Sequence, residues 1–87
     1  MKERKMTMSE KRIVSVDDYG KIVVCLKDVM DAREMTRSRL ARSIDARFEV
    51  IDKWYRGEVE KLDLDILARI CCVLNCKPED IIKYVSK

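Results

Sequence analysis

The stretch FEVIDKWYRG, residues 48–57, sets Glu49, Asp52, Lys53 and Arg56 around the apolar residues Val50, Ile51 and Trp54. Lysine and arginine in such a cluster hold anions, arginine as a planar fork and lysine as a point charge. The two acids lie where a polyanion bound by those bases would lie, so they require their own account. Glu49 stands four residues before Lys53, and Asp52 four before Arg56, the acid-first order that supports a helix by ~0.2 to 0.5 kcal/mol per pair. Glu49 also falls near the positive N-terminal end of such a helix.

The charge around this stretch is uneven. Residues 1–12 contain Lys2, Arg4, Lys5, Lys11 and Arg12 against Glu3 and Glu10, which accounts for the whole net charge of +3. Within the neutral remainder, Arg33, Arg37, Arg39, Arg42, Arg47, Lys53 and Arg56 outnumber Glu34, Asp45, Glu49 and Asp52. Positive charge thus collects at the N-terminus and in one internal segment, as an anion-binding face needs. The alternative is a solvated helical surface with no partner.

Other chemistries find little footing. The 87 residues hold no His, no glycine-rich phosphate loop and no paired nucleophile and base, so no enzyme and no cofactor are expected. Cys71, Cys72 and Cys76 cluster, with Cys25 far off in sequence, but adjacent Cys71 and Cys72 point about 100° apart on a helix. That spacing is not a zinc ribbon, so no metal site is expected. The thiols read as small buried apolar side chains, with redox sensing as the alternative. No apolar run approaches the ~18 residues of a membrane span, and MKERKMTMSEKR lacks the apolar core of a signal peptide. A cytoplasmic protein that spans no membrane is expected.

The elements that must position these residues follow from periodicity and caps. At 40% charged and 47% hydrophobic residues, the chain has the composition of one small globular domain. Residues 1–12 read as a flexible basic arm. In RIVSVDDYGKIVV, residues 12–24, the β-branched residues favour strands and DDYG a turn, giving an extended lead-in or hairpin over 13–22. Leu26, Val29, Met30 and Arg33 recur at helical spacing, which predicts a first helix over about residues 23–34. Thr36 can cap a second helix reaching about Ser43, with Leu40, Ala41 and Ile44 on its apolar side. A third helix follows over about residues 47–56 and ends at Gly57 in a left-handed conformation. Asp63 can cap a fourth, with Leu64, Leu67, Ala68, Ile70, Cys71 and Leu74 as its stripe and Asn75 as its left-handed exit. Pro78 opens a fifth, with Glu79 and Asp80 in the favourable first turn. The reading is an all-α bundle of five short helices, residues 23–84, with 85–87 as a tail.

Two helices joined by so short a turn form a helix-turn-helix unit. Here the residues resemble a known family. TRSRLA (36–41), the Ile51 and Trp54 pair, RG (56 and 57), LDLDILARIC (62–71) and VLNCKPEDII (73–82) are similar to the Cro and lambda-repressor-like (XRE-type) helix-turn-helix family. The small single-domain branch is the nearest, ending in a comparable L-x-C-x-P-x-D-I-x-x-Y run. The resemblance spans residues 23–84. It implies a five-helix DNA-binding domain, usually homodimeric, serving as a bacterial or phage transcriptional regulator, in the first instance a repressor.

In such a fold the third helix enters the major groove of double-stranded DNA and the second crosses the backbone. Arg47, Phe48, Glu49, Asp52 and Lys53 then become the base-facing candidates, with Phe48 suited to a thymine methyl, Lys53 to guanine and Glu49 to cytosine N4. Nothing in base recognition calls for an acid at Asp52, which favours its pairing with Arg56; for Glu49 the base contact and the Lys53 pair stand level. Arg37, Ser38, Arg56 and Lys61 are the phosphate candidates. Arg47 departs from the family pattern, standing where a Ser or Thr cap is usual and leaving Asp45 as the alternative cap. No small-molecule effector is evident. The competing reading is a protein-interaction module on the same fold, such as an antitoxin or a regulatory subunit.

Overall fold

The computed structural model describes residues 18–87; the basic arm and residues 13–17 of the lead-in fall outside them. The order of elements is β1 (Lys21–Val24), α1 (Leu26–Ala32), α2 (Arg37–Ser43), α3 (Phe48–Arg56), α4 (Leu64–Leu74), α5 (Pro78–Ile81) and β2 (Ile82–Val85). Among the described residues five helices are present as expected, and the mostly helical bundle also carries an antiparallel pairing of β1 with β2. Lys21 lies opposite Val85, and Val24 opposite Ile82. Among the described residues, the extended segment Lys21–Val24 finds its partner about sixty residues on, at Ile82–Val85.

That pairing also corrects the start of the first helix. Val23 and Val24 are strand residues, and the Cys25 N–H donates to the Ile81 carbonyl, so α1 cannot begin before Leu26. β-Branched residues with a strand partner to hand take the ladder rather than a helical end. Gly20 makes this closure tight. A Cβ there would stand 1.8 Å from the Val85 carbonyl oxygen, and its N–H donates to the Tyr84 hydroxyl at 2.8 Å.

The helices surround one core formed by Leu26, Val29, Met30, Leu40, Ala41, Ile44, Ile51, Trp54, Leu67, Ile70, Leu74 and Ile81. The predicted caps hold. Thr36 accepts from the Arg39 N–H, Asp63 accepts from the N–H groups of Asp65 and Ile66, and Gly57 and Asn75 take left-handed exits. The predicted stripe of α4 is narrower than expected. Leu64 and Ala68 are exposed, whereas Leu67, Ile70 and Leu74 are buried and Ile66 and Cys71 pack partly buried against the core. Full burial of the thiols also fails. Cys72 is exposed and Cys25, Cys71 and Cys76 are half-buried at the rim of the core. Burial, with Cys71 beside it, raises the Cys76 thiol above its ordinary range.

Candidate nucleic-acid interface

The geometry of α3 is set by its neighbour α2. Leu40, Ala41 and Ile44 bury the inner side of α2, and Ile51 and Trp54 are buried on the inner side of α3. The connection between them reverses in four residues, because Asp45 adopts φ 58° and the Ala46 N–H reaches back to the Ala41 carbonyl at 2.9 Å. This is the left-handed helix exit that glycine usually occupies, here taken by an Asp, which tolerates it better than most residues. Asp45 consequently does not cap α3, correcting that alternative. Arg47 is the N-cap residue, in extended conformation and without a side-chain cap bond. Arg69 braces the turn from the far side: its guanidinium donates to the Ile44 carbonyl at 2.9 Å and pairs with Asp65 at 2.8 Å.

With the inner face buried, the outer face of α3 presents Phe48, Glu49, Lys53 and Arg56 to solvent, with Arg47 exposed just ahead. Lys53 and Lys61 both line a cleft of about 400 Å³, together with the apolar Val50, Trp54, Val59 and Ile66 and the acids Glu58, Glu60 and Asp63. Ser38 is exposed in the first turn of α2. Of the expected site residues, Arg47, Phe48, Glu49, Lys53, Arg56, Ser38 and Lys61 are all exposed. Glu49 and Lys53 do not form the ion pair that their spacing suggests; among the described residues neither has an ion-pair partner.

Asp52 behaves otherwise. Its carboxylate is only 17% exposed, and each oxygen takes a different guanidinium: Oδ1 that of Arg37 at 2.5 Å, Oδ2 that of Arg56 at 3.0 Å. The Arg56 pair is the one its spacing predicts. The Arg37 pair crosses from α2 to α3 and was invisible to spacing rules. Both oxygens are engaged within the protein. Arg37 is further held over the rings of Tyr55, at 4.9 Å, and Phe48, at 5.6 Å, in cation–π geometry.

Tyr55, Asp31 and Lys27 extend this network and were missed in the sequence. The Tyr55 hydroxyl donates to Asp31 on α1 at 3.0 Å, and Lys27 donates to the same carboxylate at 2.7 Å. The hydrogen bond from Lys27, then that from Tyr55, holds the Asp31 carboxyl below its ordinary range, and the bond to Asp31 raises the Lys27 ammonium above its own. The Lys27–Asp31 spacing of four was a legible signal; the link to Tyr55, 24 residues on, was not. Among the described residues, no group of three or more His, Cys, Asp or Glu side chains is placed to hold a metal ion.

Residues 25–87 match the family model for the Cro/C1-type HTH DNA-binding domain. The chain belongs to this family. Solved structures similar in fold to this chain include two at TM-scores above 0.6. One is a candidate DNA-binding protein from Bacteroides fragilis, with TM-score 0.65, 22% identity, 72% of this chain covered and 100% of that one. The other is the transcriptional regulator VanUg, with TM-score 0.64, 22% identity, 87% of this chain covered and 100% of that one. At such identity these likenesses speak to the fold alone. No curated protein matches the chain. Within the Cro/C1-type domain, α2 and α3 are the helix-turn-helix pair, and the surface described above is the outer face of its second helix.

Proposed function

We propose that this protein binds double-stranded DNA in a sequence-specific manner and regulates transcription, with α3 in a major groove. The observation that carries the reading is the outer face of α3. Arg47, Glu49 and Lys53, joined by Lys61 from the following loop, are exposed and make no ion pair with any described residue, on a helix fixed from behind by Ile51 and Trp54. Unpaired polar heads on a rigid helix are what base and phosphate recognition requires. In this reading Arg47, Phe48, Glu49 and Lys53 face base edges, while Arg37, Ser38, Arg56 and Lys61 lie along phosphates. Asp52 organises Arg37 and Arg56 rather than touching a base.

Bound over a promoter, a domain of this size acts by occlusion, so repression in the cytoplasm is the proposed sign and place of action. One nine-residue helix reads a single half-site, and a two-fold homodimer would read two half-sites about one helical turn apart. The seam proposed for that pairing is the sheet, where Ile22 and Tyr84 lie opposite each other and are 63% and 59% exposed. No effector and no catalysis enter the proposal.

Titrating the protein with duplex DNA at several salt concentrations tests it. Several phosphate contacts give an affinity that falls steeply as salt rises. A flat salt dependence overturns the DNA reading and leaves α3 as a surface for another protein. Selection from a random duplex library then identifies the operator.

A further inference from the structure

We infer that Asp52 is an internal counter-ion for the DNA-facing surface: by engaging the guanidiniums of Arg37 and Arg56 in the free protein, it restrains the affinity for DNA of unrelated sequence. The inference rests on the DNA reading above and concerns the same surface. A carboxylate and a phosphate compete for the same guanidinium donors, since both present two oxygens to the fork. Asp52 divides its oxygens between two arginines that reach it from different directions, one from α2 and one a turn further along α3. The arginines remain 41% and 58% exposed while the carboxylate is nearly covered. A phosphate arriving at this face therefore meets two cations whose charge is already partly balanced.

The consequence follows from how sequence-independent binding works. Such binding draws on phosphate neutralisation, each fully engaged cation releasing condensed counterions from the DNA. An arginine that must first be shared with Asp52 contributes less than a whole contact. Base-edge contacts from Arg47, Phe48 and Lys53 are untouched by this restraint. Arg37 stays in place without the carboxylate, because the Tyr55 and Phe48 rings hold it from the side. Replacing Asp52 by Asn therefore frees charge at a prepared position.

The test compares the full chain with Asp52→Asn on a labelled duplex of random sequence, at salt from about 50 to 200 mM. The variant is expected to bind about tenfold more tightly at the low end, with log K against log salt steeper by roughly 0.9 in total, because one carboxylate offsets one positive charge across the two guanidiniums. Arg56→Gln is expected to weaken binding more in the Asp52→Asn background than in the wild type. Should Asp52→Asn not fold, as judged by circular dichroism, the Arg37→Gln and Arg56→Gln double variant reads the same quantity with Asp52 retained: the inference expects a slope loss well short of the value of about 1.8 for two unshared guanidiniums. A wild-type protein that binds with a steep slope and an Asp52→Asn protein no tighter than it overturn the counter-ion and leave the DNA reading standing. If neither binds duplex DNA, both fall together.

Discussion

The two ends of the molecule solve opposite problems. At the helix-turn-helix end an exposed, charged helix must stay rigid, and it is braced by side chains: Asp52 to Arg37 and Arg56, Arg37 over Tyr55 and Phe48, Tyr55 to Asp31. At the sheet end two short strands must close a chain, and they do so with backbone bonds, leaving Ile22 and Tyr84 in solvent. Val24 and Ile82 on the same sheet face do reach the core, so the apolar stripe runs past the helices that could cover it. A charged surface kept rigid by its own network is suited to meet a polyanion; an apolar one left uncovered is suited to meet a second apolar surface. In the proposed reading, the contrast assigns recognition to one end and assembly to the other.

The largest effect is expected where the backbone closes on itself. Gly20→Ala puts a methyl group into the Val85 carbonyl, and strain of about 1 to 3 kcal/mol should open the sheet. Hydrogen exchange would then speed up in β1 and β2 while the α3 amides stay protected; loss of protection throughout would show that the two ends are one cooperative unit. Next in size, Lys53→Ala is expected to cost about 1 to 2 kcal/mol of affinity for a selected operator, near tenfold, with an unchanged thermal midpoint. An equal loss on random DNA would move Lys53 from base to phosphate contact. Tyr55→Phe removes the bond to Asp31 and is expected to lower stability by about 0.5 to 1 kcal/mol, with little change at the sheet.

The smallest effect is with pH. The Asp31 carboxyl sits below its ordinary range in the folded protein, so its contribution is present above the unfolded value and lost as pH falls through the folded one. Lys27 is raised, so its contribution holds below the ordinary lysine range and is lost as pH climbs past the folded value. Both groups are exposed, and the expected shift in melting temperature at acid or alkaline pH is slight. The Tyr55 ring resonances should report it, moving in acid while Ile22 and Tyr84 do not.

Much of the helix-turn-helix end was legible in the sequence because its signals are local. Thr36, Asp63, Gly57, Asn75 and Pro78 each act within one turn of where they stand, and each marks a helix end in the structure. The Asp52–Arg56 pair was legible for the same reason. Residues 21–24 were harder, since their strand exists only through a partner about sixty residues away. The Glu49–Lys53 pair shows the limit of the spacing rule: exposed ends of two long side chains gain little by meeting and lose rotamer freedom when they do.

From its sequence alone this protein reads as five short helices, several with clear end signals, an apolar inner face on each of the central three, and an outward set of charges on α3. Those follow from forces that act over three or four residues: capping, helical periodicity and the left-handed exits at Gly57 and Asn75. The tertiary structure decided that Val23 and Val24 join a strand, that Leu64 stays in water, and that Asp52 serves two arginines rather than one. Each of those depends on what distant segments bring to the same place, and a carboxylate has no preference between neighbouring guanidiniums until packing sets them beside it.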